Sequence, residues 1–216
     1  MESHNFNELF DQWAKEYDQT VYDQHGEYNE VFEDYEVILQ QVIDGLPAAP
    51  ATILEFGVGT GNLSTKLIQA GYKVIGVEPS EEMRKKVEEK GLQLDLRDGT
   101  FLNIPLAAQE RVDGIVSTYA FHHLTLPEKE QAITLMKSFL NPRGRIVFAD
   151  TAYENAEAKE ALFKRVEMQG KMNLMYDLNS EYYELITDLK EIYEKNGFVV
   201  DFVPLNRYVW LSSAKI

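Results

Sequence analysis

Cysteine is absent from the 216 residues, which excludes disulfides, thiolate metal sites and a cysteine nucleophile. There is also no apolar run long enough to cross a bilayer. The amino terminus, Met1-Glu2-Ser3-His4-Asn5-Phe6-Asn7-Glu8, lacks the basic stretch and apolar core of a secretory signal, so a cytoplasmic protein with no membrane contact is expected. Positive charge is scarce: 21 lysines and arginines stand against 36 aspartates and glutamates, a net charge of −15. Such a chain repels a phosphate backbone, whose binders need clustered basic residues, and nucleic acid is not an expected partner. The few histidines, His4, His25, His122 and His123, show no helical ligand spacing, so no metal site is expected. Repeats, low-complexity tracts and linkers are missing too, which leaves one domain.

What is present is an alternation of strand and helix patterns. Phe6, Phe10, Trp13 and Tyr17 recur at helical spacing, and a second helical segment is expected from about residue 27 to residue 45, ended by Leu46-Pro47-Ala48-Ala49-Pro50. Strands are expected at 52–56, 73–78, over Leu92, Leu94 and Leu96, at 113–118 and at 145–149. Helices are expected between them at 61–70, 80–90 and 127–140. Ser80 is a candidate N-cap, and Glu82 with Lys86 a candidate i, i+4 ion pair. This order demands a mostly parallel sheet covered on both faces, an α/β doubly wound fold. Segments 198–203 and 208–212 flank a turn at Asn206 and read as an antiparallel hairpin, giving seven strands. Two further helices, 154–170 and 180–195, are too long for a plain connection and are expected to form a cap; Met168, Met172 and Met175 there either pack the helices onto the sheet, the commoner outcome, or line an adaptable apolar pocket. The chain thus divides into a helical arm (1–46), a core (51–150), a cap (151–196) and the hairpin (197–216).

The densest signal is Ile53-Leu54-Glu55-Phe56-Gly57-Val58-Gly59-Thr60-Gly61-Asn62-Leu63, a buried strand joined to a helix through three alternate glycines. Lacking Cβ atoms, these glycines let a ligand approach bare backbone. The third arrives one residue earlier than in the G-x-G-x-x-G dinucleotide fingerprint, which argues against a pyrophosphate and against a nicotinamide-dependent oxidoreductase. The run Val74-Ile75-Gly76-Val77 then ends in Glu78, where a carboxylate at a strand tip can accept both hydroxyls of a ribose. A nucleoside ligand is implied.

These two pieces resemble class I S-adenosylmethionine-dependent methyltransferases. Tyr17-Asp18-Gln19-Thr20-Val21, Ser117-Thr118-Tyr119-Ala120-Phe121-His122-His123-Leu124 and Ile146-Val147-Phe148-Ala149-Asp150-Thr151 are similar to the YrrT-type methyltransferases of bacilli. The resemblance implies a Rossmann-like sheet and S-adenosyl-L-methionine as cofactor. It places Gly57 and Gly59, with Val58, Gly61 and Asn62, against the methionine moiety and adenosine, and Glu55 near the ammonium group through water. It also implies Glu78 on the ribose, and Pro79 and Met83 flanking the adenine. Asp98, Gly99 and Thr100 occupy the adenine motif, with the acceptor of the adenine amino group either Asp98 or Thr100. Thr118 ends the fourth strand, and Tyr17 and Tyr22 belong to an arm that folds over the cofactor.

Methyl transfer from a sulfonium is an in-line displacement, so alignment and water exclusion matter more than a strong nucleophile. An acceptor that must lose a proton needs a base, and His122, ahead of His123, is the best placed. The expectation is methyl transfer to a small molecule by a monomer or homodimer, the alternative being a cofactor-binding protein without turnover.

Overall fold

The structure, a computed structural model, describes residues 17–216, so the expected stripe of Phe6, Phe10 and Trp13 and the side chain of Tyr17 lie outside the described residues. The chain enters through α1 (Tyr17–Tyr22) and α2 (Tyr35–Asp44), then alternates through β1 (Thr52–Phe56), α3 (Asn62–Gln69), β2 (Lys73–Val77), α4 (Glu81–Glu89), β3 (Asp95–Arg97) and β4 (Val112–Thr118). A 3-10 turn (Phe121–His123), α5 (Leu126–Phe139) and β5 (Leu140–Thr151) complete the core. The cap follows as α6 (Ala156–Gln169), α7 (Met172–Ser180) and α8 (Ile186–Lys195), and β6 (Val199–Pro204) and β7 (Val209–Lys215) close the chain.

The seven strands lie in the order β3-β2-β1-β4-β5-β7-β6, with β7 antiparallel to both its neighbours and the other pairings parallel. Period-two alternation fills both faces. Ile53, Val74, Val116 and Val147 face α2, α3 and the cap, while Leu54, Phe56, Ile75, Val77, Ile115 and Ile146 face α5 and α8. Chain order reverses between β1 and β4, which makes their carboxyl ends the crevice where an open α/β sheet takes its ligand.

Local chemistry accounts for the helix ends. Ser80 caps α4 by accepting from the Met83 N–H, and Thr125 with Glu128 forms a capping box on α5. Several expectations need correction. The helix expected over 27–45 exists only from Tyr35, because Asp34 takes a left-handed conformation (φ 59°) and breaks the ladder; Val31 is buried from a turn instead. The third strand starts at Asp95, not Leu92, and the fifth is longer, with its register on β4 shifting between Val112 and Gly114. Lys85 pairs with Glu81 and Glu82, and Lys86 turns to Glu89, so the Glu82–Lys86 pair does not form. The cap holds three helices rather than two: Gly170 (φ 66°) ends α6, and Leu174 and Leu178 bury one face of a separate α7. Met168 and Met172 are exposed, at 87% and 72%, so they line no pocket.

Candidate functional site

The loop after β1 carries positive φ at Gly57, Gly59 and Gly61 (66°, 56° and 86°), and the three are needed for different reasons. A Cβ on Gly57 would stand 2.6 Å from the Cβ of Ala120, and one on Gly61 2.8 Å from Leu92, so these two permit close packing. Among the described residues a Cβ on Gly59 would meet nothing within 4 Å, so here the backbone faces open space. Val58 is buried against Gly76 of β2, leaving only its main chain available to a ligand.

Glu78, at the tip of β2 and 4% exposed, reaches across to this loop: Oε2 accepts from the Gly59 N–H at 2.8 Å and Oε1 from the Ser80 N–H at 3.0 Å. Arg84 donates to the carbonyls of Glu78 and Pro79 and lies 3.4 Å from Asp98, fixing the wall beside Met83, which is itself buried. Asp98 is otherwise exposed, whereas the Thr100 hydroxyl accepts from the Leu102 and Asn103 N–H groups, 3.2 and 3.0 Å away. Gly99 leaves no room for a side chain, since a Cβ would stand 2.7 Å from Pro105.

Glu55 does not reach this space. It is sealed at 1% exposure beneath the loop, where the Ser64 hydroxyl donates to it at 2.5 Å. Burial, with the charge of Glu78 adding, pushes its carboxyl up to about 8. The Tyr22 hydroxyl donates to Glu36 at 2.7 Å and its ring meets Tyr35 edge-on. The residue of α1 that meets the glycine loop is Asp18, which accepts from the Thr60 hydroxyl at 2.5 Å and the Asn62 amide at 3.1 Å and lies 3.3 Å from Lys90. Burial would raise its pKa, but these donors outweigh that and hold it below the usual value. Asn62 thereby serves the docking of the arm.

Beyond β4, Thr118 is paired with Ala149 and is followed by Tyr119 at φ 53°, a conformation that costs a bulky residue about 1–2 kcal/mol. The Tyr119 N–H donating to Ala149 and its ring against Phe32 and Tyr35 hold it there. The 3-10 turn then presents His122, whose Nδ1 lies 2.6 Å from Oδ1 of Asp150 and whose backbone N–H donates to Oδ2 at 3.0 Å. Burial lowers the imidazole pKa, yet the Asp150 charge and hydrogen bond prevail and raise it. His123 goes the other way, lowered by burial and by His122, although Nδ1 lies 3.0 Å from Glu181. Behind the pair, Lys129 is buried with its ammonium donating to the carbonyls of Leu124 and Tyr182, and desolvation pulls it down to about 8.

Residues 53–144 match a family described as a methyltransferase domain. The chain is 46% identical over 97% of both lengths to an uncharacterized methyltransferase of Alkaliphilus oremlandii, and 44% identical, again over 97% of each, to the uncharacterized methyltransferase YrrT of Halobacillus halophilus. Among solved structures it is similar to magnesium protoporphyrin IX methyltransferase of Synechocystis with bound SAM, at a TM-score of 0.68 and 16% identity, covering 97% of this chain and 94% of that one. The chain belongs to the S-adenosylmethionine-dependent methyltransferases.

The residues of this methyltransferase fit that cofactor: among the described residues the main chain at Gly59 is uncovered, and the Glu78 carboxylate beside it is the kind of acceptor that ribose hydroxyls require. Three participants escaped the sequence reading. Asp150 lies 28 residues from His122 and only the β4–β5 pairing joins them. Nothing in the sequence marks the backbone strain at Tyr119. Asp18 sits in the arm motif, between the aromatic positions, and its role shows only where Thr60 and Asn62 meet it in the fold.

Proposed function

We propose that this methyltransferase moves a methyl group from S-adenosylmethionine to a small molecule whose reactive heteroatom carries a proton, and that His122 receives that proton. When bound, the cofactor supplies the electrophilic methyl. Gly59 offers it uncovered main chain, in a turn that Gly57 and Gly61 hold, Glu78 accepts from the ribose hydroxyls, and Pro79, Met83 and Gly99 flank the adenine. Asp98 accepts from the adenine amino group in preference to Thr100, whose oxygen already accepts two backbone N–H groups. Thr118 lines the crevice on the β4 side.

The observation that carries the acceptor side is the His122–Asp150 pair at the ends of β4 and β5. Asp150, held low chiefly by His122 against the effect of burial, fixes the proton on Nδ1 and leaves the Nε2 lone pair for the acceptor. The net charge of −15 supports a small acceptor over a nucleic acid. With no described helix long and apolar enough to cross a membrane, and bacterial relatives throughout, we place the protein in the cytoplasm.

Incubating purified protein with cell extract and methyl-labelled cofactor tests the reading. Label is expected in the low-mass fraction, and His122→Ala should cut its incorporation about 10²–10⁴-fold, the usual worth of a general base. Label confined to macromolecules, or full incorporation by His122→Ala, would contradict it.

A further inference from the structure

We propose that His122, His123 and Glu181 form a binding site for one divalent transition-metal ion of the zinc class. Each offers one ligand atom, and these atoms lie within 4.8 Å of one another. The side chains are 11%, 19% and 12% exposed, so the cluster is largely enclosed yet reachable from solvent.

The ligands come from two elements held in fixed relation. The 3-10 turn supplies both imidazoles, with ring centroids 4.1 Å apart, and the residue after α7 supplies the carboxylate. The Tyr182 N–H donates to the His122 carbonyl at 3.0 Å, and the Lys129 ammonium bridges the carbonyls of Leu124 and Tyr182, so the two loops cannot separate easily. Linear spacing could not reveal this set, because Glu181 lies 58 residues from His123.

The chemistry of the donors points to zinc rather than magnesium or calcium. Two imidazoles and one carboxylate form a three-ligand set with a fourth position open, and imidazole favours zinc, copper or nickel over hard oxygen-seeking ions. Asp150 on Nδ1 of His122 is the outer carboxylate that orients a ligating ring and leaves Nε2 free. The carboxylates of Asp150 and Glu181 stand beside the two rings, 2.6 Å from His122 Nδ1 and 3.0 Å from His123 Nδ1, and supply the negative charge that a cation would neutralise. The ion would replace the hydrogen bond between His123 and Glu181.

One lone pair cannot hold both a metal and a proton, so an occupied site would block the proton uptake assigned to His122. That consequence rests on the function proposed above; the binding itself does not.

Metal-free protein titrated with zinc chloride against a chromophoric chelator tests the site. S-adenosylhomocysteine binding is measured by calorimetry on the same samples. One zinc per chain is expected, with affinity at least about tenfold weaker in His123→Gln and Glu181→Gln and about 10–100-fold weaker in Asp150→Asn. Magnesium chloride should not compete, and His123→Gln and Glu181→Gln should bind S-adenosylhomocysteine like wild type, which also shows that they fold. Failure to bind zinc stoichiometrically, or equal zinc affinity in wild type and both of those variants, would overturn the site. Loss of S-adenosylhomocysteine binding by the wild type would instead strike at the proposed function.

Discussion

Gly57 and Gly59 share a left-handed backbone but differ in what surrounds them, and the difference separates folding from binding. An alanine at 57 would drive its methyl into Ala120 and occupy a disfavoured φ, so Gly57→Ala should destabilise the fold by about 2–4 kcal/mol, read by denaturant unfolding. At 59 the methyl meets nothing, and only the φ cost of about 1–2 kcal/mol applies. Gly59→Ala should therefore fold and yet lose at least about tenfold in cofactor affinity, because the methyl occupies the face the ligand needs. Glu55 provides a test by pH. Its folded pKa of about 8 exceeds its ordinary 4.5, so between these values the folded state holds a proton that the unfolded chain has released. Its contribution to stability is complete below about pH 4.5 and declines as pH rises through about 8. Relative to Glu55→Gln, wild type should lose stability steadily across pH 5 to 8; parallel unfolding profiles would show that the carboxyl titrates normally.

Among the elements, α1 is tied to the glycine loop, in the described residues, through the carboxylate of Asp18. Asp18→Ala removes the acceptor shared by Thr60 and Asn62 and the partner of Lys90, so hydrogen exchange at residues 57–62 should accelerate while the β-strand amides stay protected. Unchanged exchange in the loop would mean that the arm does not brace it. Elements with strong local signals were legible in the sequence: β1 from its apolar run, α4 from Ser80 and its acidic first turn, and the β6–β7 hairpin from the break at Asn206, whose side chain accepts from the N–H groups of Tyr208 and Val209. Elements decided by tertiary contact were not. The segment from Tyr28 to Asp34 carries a helical stripe, but the donation of the Asn206 amide to the carbonyls of Val31 and Glu33 satisfies its backbone in a turn. In the cap, apolar methionines were expected inward, yet Leu174 and Leu178 took the buried positions and left Met168 and Met172 to solvent.

For the whole molecule, the sheet's reversal at β1 and β4 sets the residues proposed as a nucleoside cradle at the same crevice as a histidine–aspartate pair. The meeting of the glycine loop with Glu78 was readable because these residues span 22 positions, Gly57 to Glu78, in a motif of fixed spacing. The acceptor side was not, since Asp150 and Glu181 reach His122 and His123 only through the finished fold. The most direct test of the cradle is calorimetric titration of S-adenosylhomocysteine into wild type and Glu78→Gln. Saturable one-to-one binding is expected, weakened about 10–100-fold in the variant, as removal of a charged hydrogen-bond acceptor worth about 1.5–3 kcal/mol implies. Equal affinity in the two proteins would contradict the assignment of Glu78 to the ribose, and no binding by folded wild type would contradict the cradle itself.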